Sequence, residues 1–187
     1  MPEPLAGPSL EPLTRAEAKL FLRIVHDDED ALVDALVAAA RRVVEAKTGR
    51  VLLTQTWRFS RDTWPASGVI AAPVSPIAAI VSATVTTANG TLVPVPVGVL
   101  TLARERAPSL IHVKATQVPA PGVAHGGIVL TVTAGYGAVP ADLPGDLVQA
   151  VRLVLAHFYE NRSGAGDVMQ LPPAVDALLA PYRVVRL

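Results

Sequence analysis

Three groups of side chains in this 187-residue chain have the types and spacings of reactive sites. His26 stands beside the acidic run Asp27-Asp28-Glu29-Asp30, a set of oxygens of the kind that hard divalent cations bind. Consecutive residues at a helix start fan out rather than converge, however, and no second acidic cluster or loop glycine accompanies them. Helix capping and dipole complementarity are the better account of the run. His157 and Glu160 are spaced H-x-x-E on a helical segment, but zinc proteases use H-E-x-x-H and the second histidine is missing. Next to Phe158 and Tyr159, His157 reads as a packing residue. Gly135-Tyr136-Gly137 follows a strand-like segment, where glycines can cradle phosphate, yet neither G-x-G-x-x-G nor G-x-x-x-x-G-K is present. A tight link from strand to helix is the favoured reading. No serine sits in a G-x-S-x-G elbow, and the absence of cysteine excludes thiolate nucleophiles, thiolate metal sites and disulfides. No catalytic, metal or cofactor site is expected.

The elements that carry these residues follow from periodicity. Leu13-Thr14-Arg15-Ala16-Glu17 is a capping box that predicts a helix over 15–24, with Leu20 and Ile24 on one face. A second helix opens at the acidic run. Leu32, Leu36, Ala39 and Val43 recur at helical spacing, flanked by Val33, Val37, Ala40 and Val44, and Gly49 forms the left-handed cap. Period two then replaces period 3.6. Strands are expected over 51–60, 77–87, 91–97, 99–104, 110–114 and 128–133, with Asn89-Gly90 as a hairpin turn. Pro94 and Pro96 place the strand that follows this turn at a sheet edge. Asp142-Leu143-Pro144 opens a third helix with Leu147, Val151, Val154, Leu155 and Phe158 as its stripe. Ser163-Gly164-Ala165-Gly166 is a break, and Pro172-Pro173 starts a short fourth helix that Pro181 stops. The expected fold is α+β: a helical core of about four helices, with a β-rich insertion of five or six strands between the second and third. Residues 1–12 read as a flexible or extended arm, 13–187 as one domain with the insertion at about 51–135, and 181–187 as a tail.

A chain of this length buries roughly 70% of its unfolded surface. Its 16 Lys and Arg balance 16 Asp and Glu, so the basic excess of a dedicated DNA binder is missing. Met1-Pro2-Glu3-Pro4 has neither the basic nor the apolar region of a signal peptide, and no stretch reads as a membrane span. Between Thr63 and Ala103, and again between Ala115 and Ala141, there is no Asp, Glu, Lys or Arg. A solvated surface normally carries charge throughout, so this middle region is expected to pack against other chains. The alternative is a small β-domain with a Thr/Ser/Ala surface. Trp64, in the loop-like Asp62-Thr63-Trp64-Pro65, is an interface candidate, whereas Trp57, on the apolar strand face, is expected in the core. Arg41, Arg42, Lys47 and Arg50 are read as a possible basic patch at the end of the second helix.

Several blocks resemble one family. HDDEDALVDALVAAARRVVEAKTGRVLLTQTW, then VTAGYGAVPADLPGDLVQAVRLVLAHFYENR, then LPPAVDALLAPYRV, in that order, resemble siphophage head-tail connector (adaptor) proteins, including those of gene transfer agents. The likeness runs from about residue 13 to 185, and residues 65–125 match only in kind. It implies a non-enzymatic ring, commonly of twelve copies, under the portal and above stopper or tail proteins. DNA would pass through its channel without sequence specificity, and no membrane or cofactor is involved. It also implies that the C-terminal segment Tyr182, Arg183, Val184, Val185, Arg186 and Leu187 reaches toward the portal. Another neck component, such as a stopper or tail terminator, is the alternative within this class, and a DNA-binding packaging protein the alternative outside it.

Overall fold

The computed structural model describes residues 2–103, 108–161 and 170–183. The protein is α+β, with four α-helices and two antiparallel sheets among the described residues. The chain divides into two compact units: Ser9–Leu53 with Gly137–Leu187, and Met1–Pro8 with Thr54–Tyr136.

The first unit is helical: α1 (Arg15–Leu22), α2 (Asp30–Thr48), α3 (Gly145–Glu160) and α4 (Pro173–Leu179). α1 starts at the expected capping box. The Glu17 N–H donates to Thr14 Oγ1 at 3.2 Å, and the Thr14 N–H donates to Glu17 Oε2 at 2.8 Å. It stops at Arg23, whose φ of 60° turns the backbone left-handed. α2 ends as expected at Gly49, with φ of 66° and its N–H on the Glu45 carbonyl at 2.8 Å. The stripe Val33, Val37, Ala40 and Val44 is fully buried, and α2 packs on α3, which buries Leu147, Ala150, Val151, Val154 and Leu155. Each such Val or Leu side chain contributes about 1.5–3 kcal/mol by leaving water. α4 closes this core with Val175 and Leu179.

The second unit is built from β1 (Glu3–Ala6), β2 (Gln55–Arg61), β3 (Val69–Ala71), β4 (Ile77–Thr86), β5 (Leu92–Val95), β6 (Leu100–Ala103), β7 (Leu110–Val113) and β8 (Ile128–Ala134). Five strands form one antiparallel sheet in the order β1-β2-β8-β4-β5, and three form another in the order β3-β7-β6. The interior side of the larger sheet carries Phe59, Ile77, Ala83, Val85, Val95, Ile128, Leu130 and Val132, and the smaller sheet buries Ile70, Leu100, Ile111 and Val113. Buried Ser109 ties the layers together: its Oγ accepts the Ile77 N–H at 3.0 Å and meets Ser75 Oγ at 3.2 Å. Proline-bearing β5 lies at an edge, as its composition requires.

The structure departs from the sequence reading in four places. Two short strands, β1 and β3, were not foreseen; with β3, seven strands rather than five or six stand between α2 and α3 among the described residues. The segment read as a flexible or extended arm contains β1, paired antiparallel with β2. Residues 51–53 are buried but precede β2, which begins only at Gln55. In β4 the every-second-residue apolar series Ile77, Ala79, Val81, Ala83 and Val85 does not share one face. Two register shifts against β8, between Ile77 and Ala79 and between Ile80 and Ser82, turn Ala79 and Val81 outward. The Ser163-Gly164-Ala165-Gly166 break and Val184, Val185, Arg186 and Leu187 lie outside the described residues.

Candidate assembly interface

Antiparallel pairing gives the larger sheet two chemically different faces. Along β8, Ile128, Leu130, Val132 and Ala134 point inward and are buried, while Val129, Thr131 and Thr133 point the other way and are half-buried. Their cross-strand partners on the outward side are Ser60, Arg58 and Thr56 of β2, and Thr84, Ser82 and Ala79 of β4. The bulges add Val81, which is 52% exposed, and β5 adds Leu92, 63% exposed opposite Thr86. Glu3 of β1 stands opposite Arg58. These are the ionic side chains of the outward face, so a sheet surface open to solvent is made of Thr, Ser, Ala and Val. The charge-free composition of the middle region is therefore a property of a solvent-facing surface as well as of a core.

The Trp64 loop is held by the unit it belongs to. The half-buried indole donates its Nε1–H to the Pro119 carbonyl at 2.8 Å, pinning the 62–65 loop to the 119–127 loop. Trp57 lies on the interior side of β2, opposite Val132, in line with the core reading. Beside Trp64, Ser60, Arg61, Asp62, Thr63, Pro65 and β3 line an open groove of about 620 Å³. Its charged groups are already engaged. The Arg61 guanidinium donates to the Ala71 carbonyl at 2.8 Å, and Asp62 accepts the Gly126 N–H at 2.7 Å, which, with His125 nearby, holds its carboxyl below the usual range.

In the helical unit, the root of the C-terminal segment is clasped. The Arg50 Nε–H donates to the Tyr182 carbonyl at 3.2 Å, and Asp176 accepts from both Arg183 (2.5 Å) and Lys47 (3.1 Å). Lys47, first among the causes, with Arg183 draws the Asp176 carboxyl below its ordinary range, while burial and then the Asp146 carboxylate push the Tyr182 hydroxyl up. Tyr182 and Arg183 are thus brought together with α2 and α4.

Several other sequence candidates resolve into structural roles. The acids before α2 do not cap it, because Glu29 at the N-cap position makes no side-chain cap bond. Instead they hold α1. Lys19 donates to Asp27 at 2.5 Å and to Asp30 at 2.7 Å, and Arg15 engages Asp30 at 3.1 Å and Asp34. Of the four cations read as a basic patch at the end of α2, three are engaged and Arg42 is exposed. Arg41 is buried and bonded to Glu11 (2.7 Å) and Glu45 (2.8 Å), Lys47 pairs with Asp176, and Arg50 holds Tyr182. Burial alone would lower the Arg41 pKa, and its two carboxylate partners outweigh that. Gly137 is explained by crowding, since a Cβ there would lie 2.0 Å from a carboxylate oxygen of Asp142, whose Oδ2 accepts the Val139 N–H. Glycine lets the 3-10 turn before α3 close against the chain leaving β8. Among the described residues no group of three His, Asp or Glu could hold a metal ion.

One surface escaped sequence reasoning. Leu20 is 81% exposed, Phe21 39% and Val25 96%, whereas α1 buries Ala18. The signal was available: an amphipathic reading of α1 places Leu20 and Phe21 on neighbouring faces, and eight residues cannot bury both.

Together these features define an α+β protein that exposes an almost uncharged sheet face and an apolar helix end, with many charged side chains of the helical unit held in ion pairs. Residues 14–91, from the α1 capping box to the β4–β5 turn, match the family described as Phage gp6-like head-tail connector protein. The resemblance read from the sequence blocks is thereby borne out. The chain is also similar throughout its length to solved neck structures. One is a chain in the neck of an empty GTA particle computed with C6 symmetry, 28% identical, covering 100% of this chain and 97% of that one, with a TM-score of 0.85. A chain in the virion of a native gene transfer agent (GTA) particle gives the same values. A third, in the neck of a native GTA particle computed with C12 symmetry, is 26% identical, covering 98% and 97%, with a TM-score of 0.76. No curated protein sequence matches the chain.

Proposed function

We propose that this chain is a structural head-to-tail adaptor in the neck of a tailed phage or gene transfer agent particle. The observation that carries this reading is the full-length likeness to GTA neck chains at a TM-score of 0.85. The connector-family match over residues 14–91 supports it independently. In this role the protein works by assembly. Copies form a ring, of twelve if it follows the C12 neck, between the portal above and stopper or tail proteins below, and DNA passes through the channel without base-specific contact. Identical copies close into a ring when their contact is heterologous and the rotation per copy divides a full turn.

The parts take distinct tasks. The helical unit, interrupted in sequence by the β-rich one, is the connector core. The uncharged sheet face is covered by neighbouring chains, and the segment from Tyr182 to Leu187, rooted in the Arg50–Asp176 clasp, engages the portal, with the Trp64 loop at a protein contact. The role calls for neither catalysis nor a cofactor. Electron microscopy of the protein assembled on its portal tests this reading. The expected result is a ring at the portal's lower end with the C-terminal segment against portal protein. A chain that stays monomeric and fails to bind the portal would refute it.

A further inference from the structure

Resting on the adaptor-ring reading, we infer that β1 is an exchanged strand: in the ring, Glu3–Ala6 of each copy pairs with β2 of the next copy, in the register that the structure shows within one chain. The surface that receives the strand is therefore already defined. Glu3 stands opposite Arg58, Pro4 opposite Trp57 and Ala6 opposite Thr56. Every copy offers the same β2 edge, so the pairing is the same whether strand and edge belong to one chain or to two. Exchange of an identical element between copies needs no new surface.

Three observations favour the exchange. First, β1 is held thinly. All four of its side chains are exposed, Pro4 has no N–H to give to a ladder, and the register shifts between Pro4 and Ala6. Second, β1 is joined to the rest of its chain by an open hinge. The chain up to Pro8 belongs to the β-rich unit and from Ser9 onward to the helical one. Glu11, bonded to Arg41 at 2.7 Å, and the buried Pro12 and Leu13 fix the helical side. Between these anchors Gly7, Ser9 and Leu10 are exposed and Pro8 is half-buried. Third, the segment is biased toward extension. Prolines at 2, 4, 8 and 12 restrict their own backbone and that of the residues before them, so little chain entropy is lost in reaching outward. Residues 7–10 span at most about 14 Å, which limits the recipient to a copy in direct contact. A neighbour in a ring presents its edge at high effective concentration, which offsets the advantage of the strand's own edge. Each copy then gives one strand and receives one, the head-to-tail pattern that a closed ring of identical copies requires.

The test uses the full chain assembled with its portal, and the absence of cysteine leaves introduced thiols as the sole ones in this chain. Glu3→Cys with Arg58→Cys places two exposed thiols at directly opposed positions, at a separation that a disulfide can span. After mild oxidation with diamide, non-reducing electrophoresis of the ring should show a ladder of covalent multimers. A product that is all monomer with an intrachain disulfide overturns the inference. So do rings that keep both thiols free, because β1 has then left β2 for another partner such as the portal. Should the double variant fail to assemble, two single variants give a second readout. Chains with Glu3→Cys alone, mixed before assembly with chains carrying Arg58→Cys alone, should yield a covalent dimer whose linked peptides contain positions 3 and 58. Mixed rings without that dimer would sink the inference. Failure of the unmodified chain to form any ring refutes the adaptor reading itself, so the two failures are distinguishable.

Discussion

The two units handle solvent in opposite ways. The helical unit surrounds its Val33-Val37-Ala40-Val44 seam with carboxylates and cations that pair with one another: Arg15 with Asp30 and Asp34, Lys19 with Asp27 and Asp30, Arg41 with Glu11 and Glu45, and Lys47 and Arg183 with Asp176. The β-rich unit buries an equally apolar seam along β8 but covers its outer side with Thr, Ser, Ala and Val. Both solutions satisfy the backbone and hide the large side chains. An uncharged, gently bulged sheet face loses little on dehydration, because hydroxyl and methyl groups shed water far more cheaply than ions do. The difference lies in how each surface meets water, one unit through paired ions and the other, on its sheet face, through hydroxyl and methyl groups.

The largest effects are expected in the two cores and would break the division if they did not separate. Leu130→Ala in β8 and Leu155→Ala in α3, both fully buried, should each cost about 3 kcal/mol through lost burial and a residual cavity. Trp57 and Trp64 both lie in the β-rich unit, so tryptophan fluorescence during urea unfolding should shift most for Leu130→Ala, and the helical circular dichroism signal most for Leu155→Ala. Equal shifts of both signals in both variants would show that the units unfold as one.

A middle-sized effect sharpens the contrast in charge use. Arg41→Ala leaves Glu11 and Glu45 facing each other in a mostly buried site, and should cost about 2 kcal/mol in urea denaturation, below the full value for a buried pair because Glu11 is partly exposed. Arg58→Ala on the sheet face should change stability by less than about 0.5 kcal/mol. Similar losses for both would mean that the sheet face also depends on its ionic groups.

The smallest effect is a pH dependence confined to the helical unit's surface. Hydrogen bonding by Lys19, then the charges of Lys19 and Arg15, hold the Asp30 carboxyl below the usual range, and Arg15 does the same for Asp34. Groups with depressed folded-state pKa values contribute fully above the ordinary carboxylate value of about 3.9, and that contribution is lost as pH falls through the lower folded-state values. Hydrogen exchange, corrected for intrinsic rates, should therefore show α1 losing protection between neutral pH and about pH 2, while the central strands β4 and β8 keep theirs. Exposure and salt screening keep this effect small.

Much of this was legible in advance, for local reasons. The capping box at Thr14 and Glu17, the Gly49 cap, the Asn89-Gly90 turn and the edge placement of β5 each follow from a few neighbouring residues with one low-energy geometry. Strand β3 was missed because three residues offer no measurable period, and β1 because a Pro-rich segment reads as an arm until a partner strand is known to lie beside it. The acids before α2 were assigned to capping, whereas the structure pairs them across helices. Their true partners, Lys19 and Arg15, belong to another helix, and no spacing rule within α2 indicates that.

The sequence by itself determined the α+β class, the run of strands between the second and third helices and the connector likeness, because hydrophobic period and turn chemistry act over a few residues. Tertiary structure alone decided which side of β4 faces water. A bulge is a relation between two strands, and each one-residue slip against β8 reverses the face that a side chain occupies. It also decided that Arg41, Lys47 and Arg50 are spent on Glu11, Glu45, Asp176 and Tyr182, since a cation's availability depends on which distant carboxylates and carbonyls folding brings within reach.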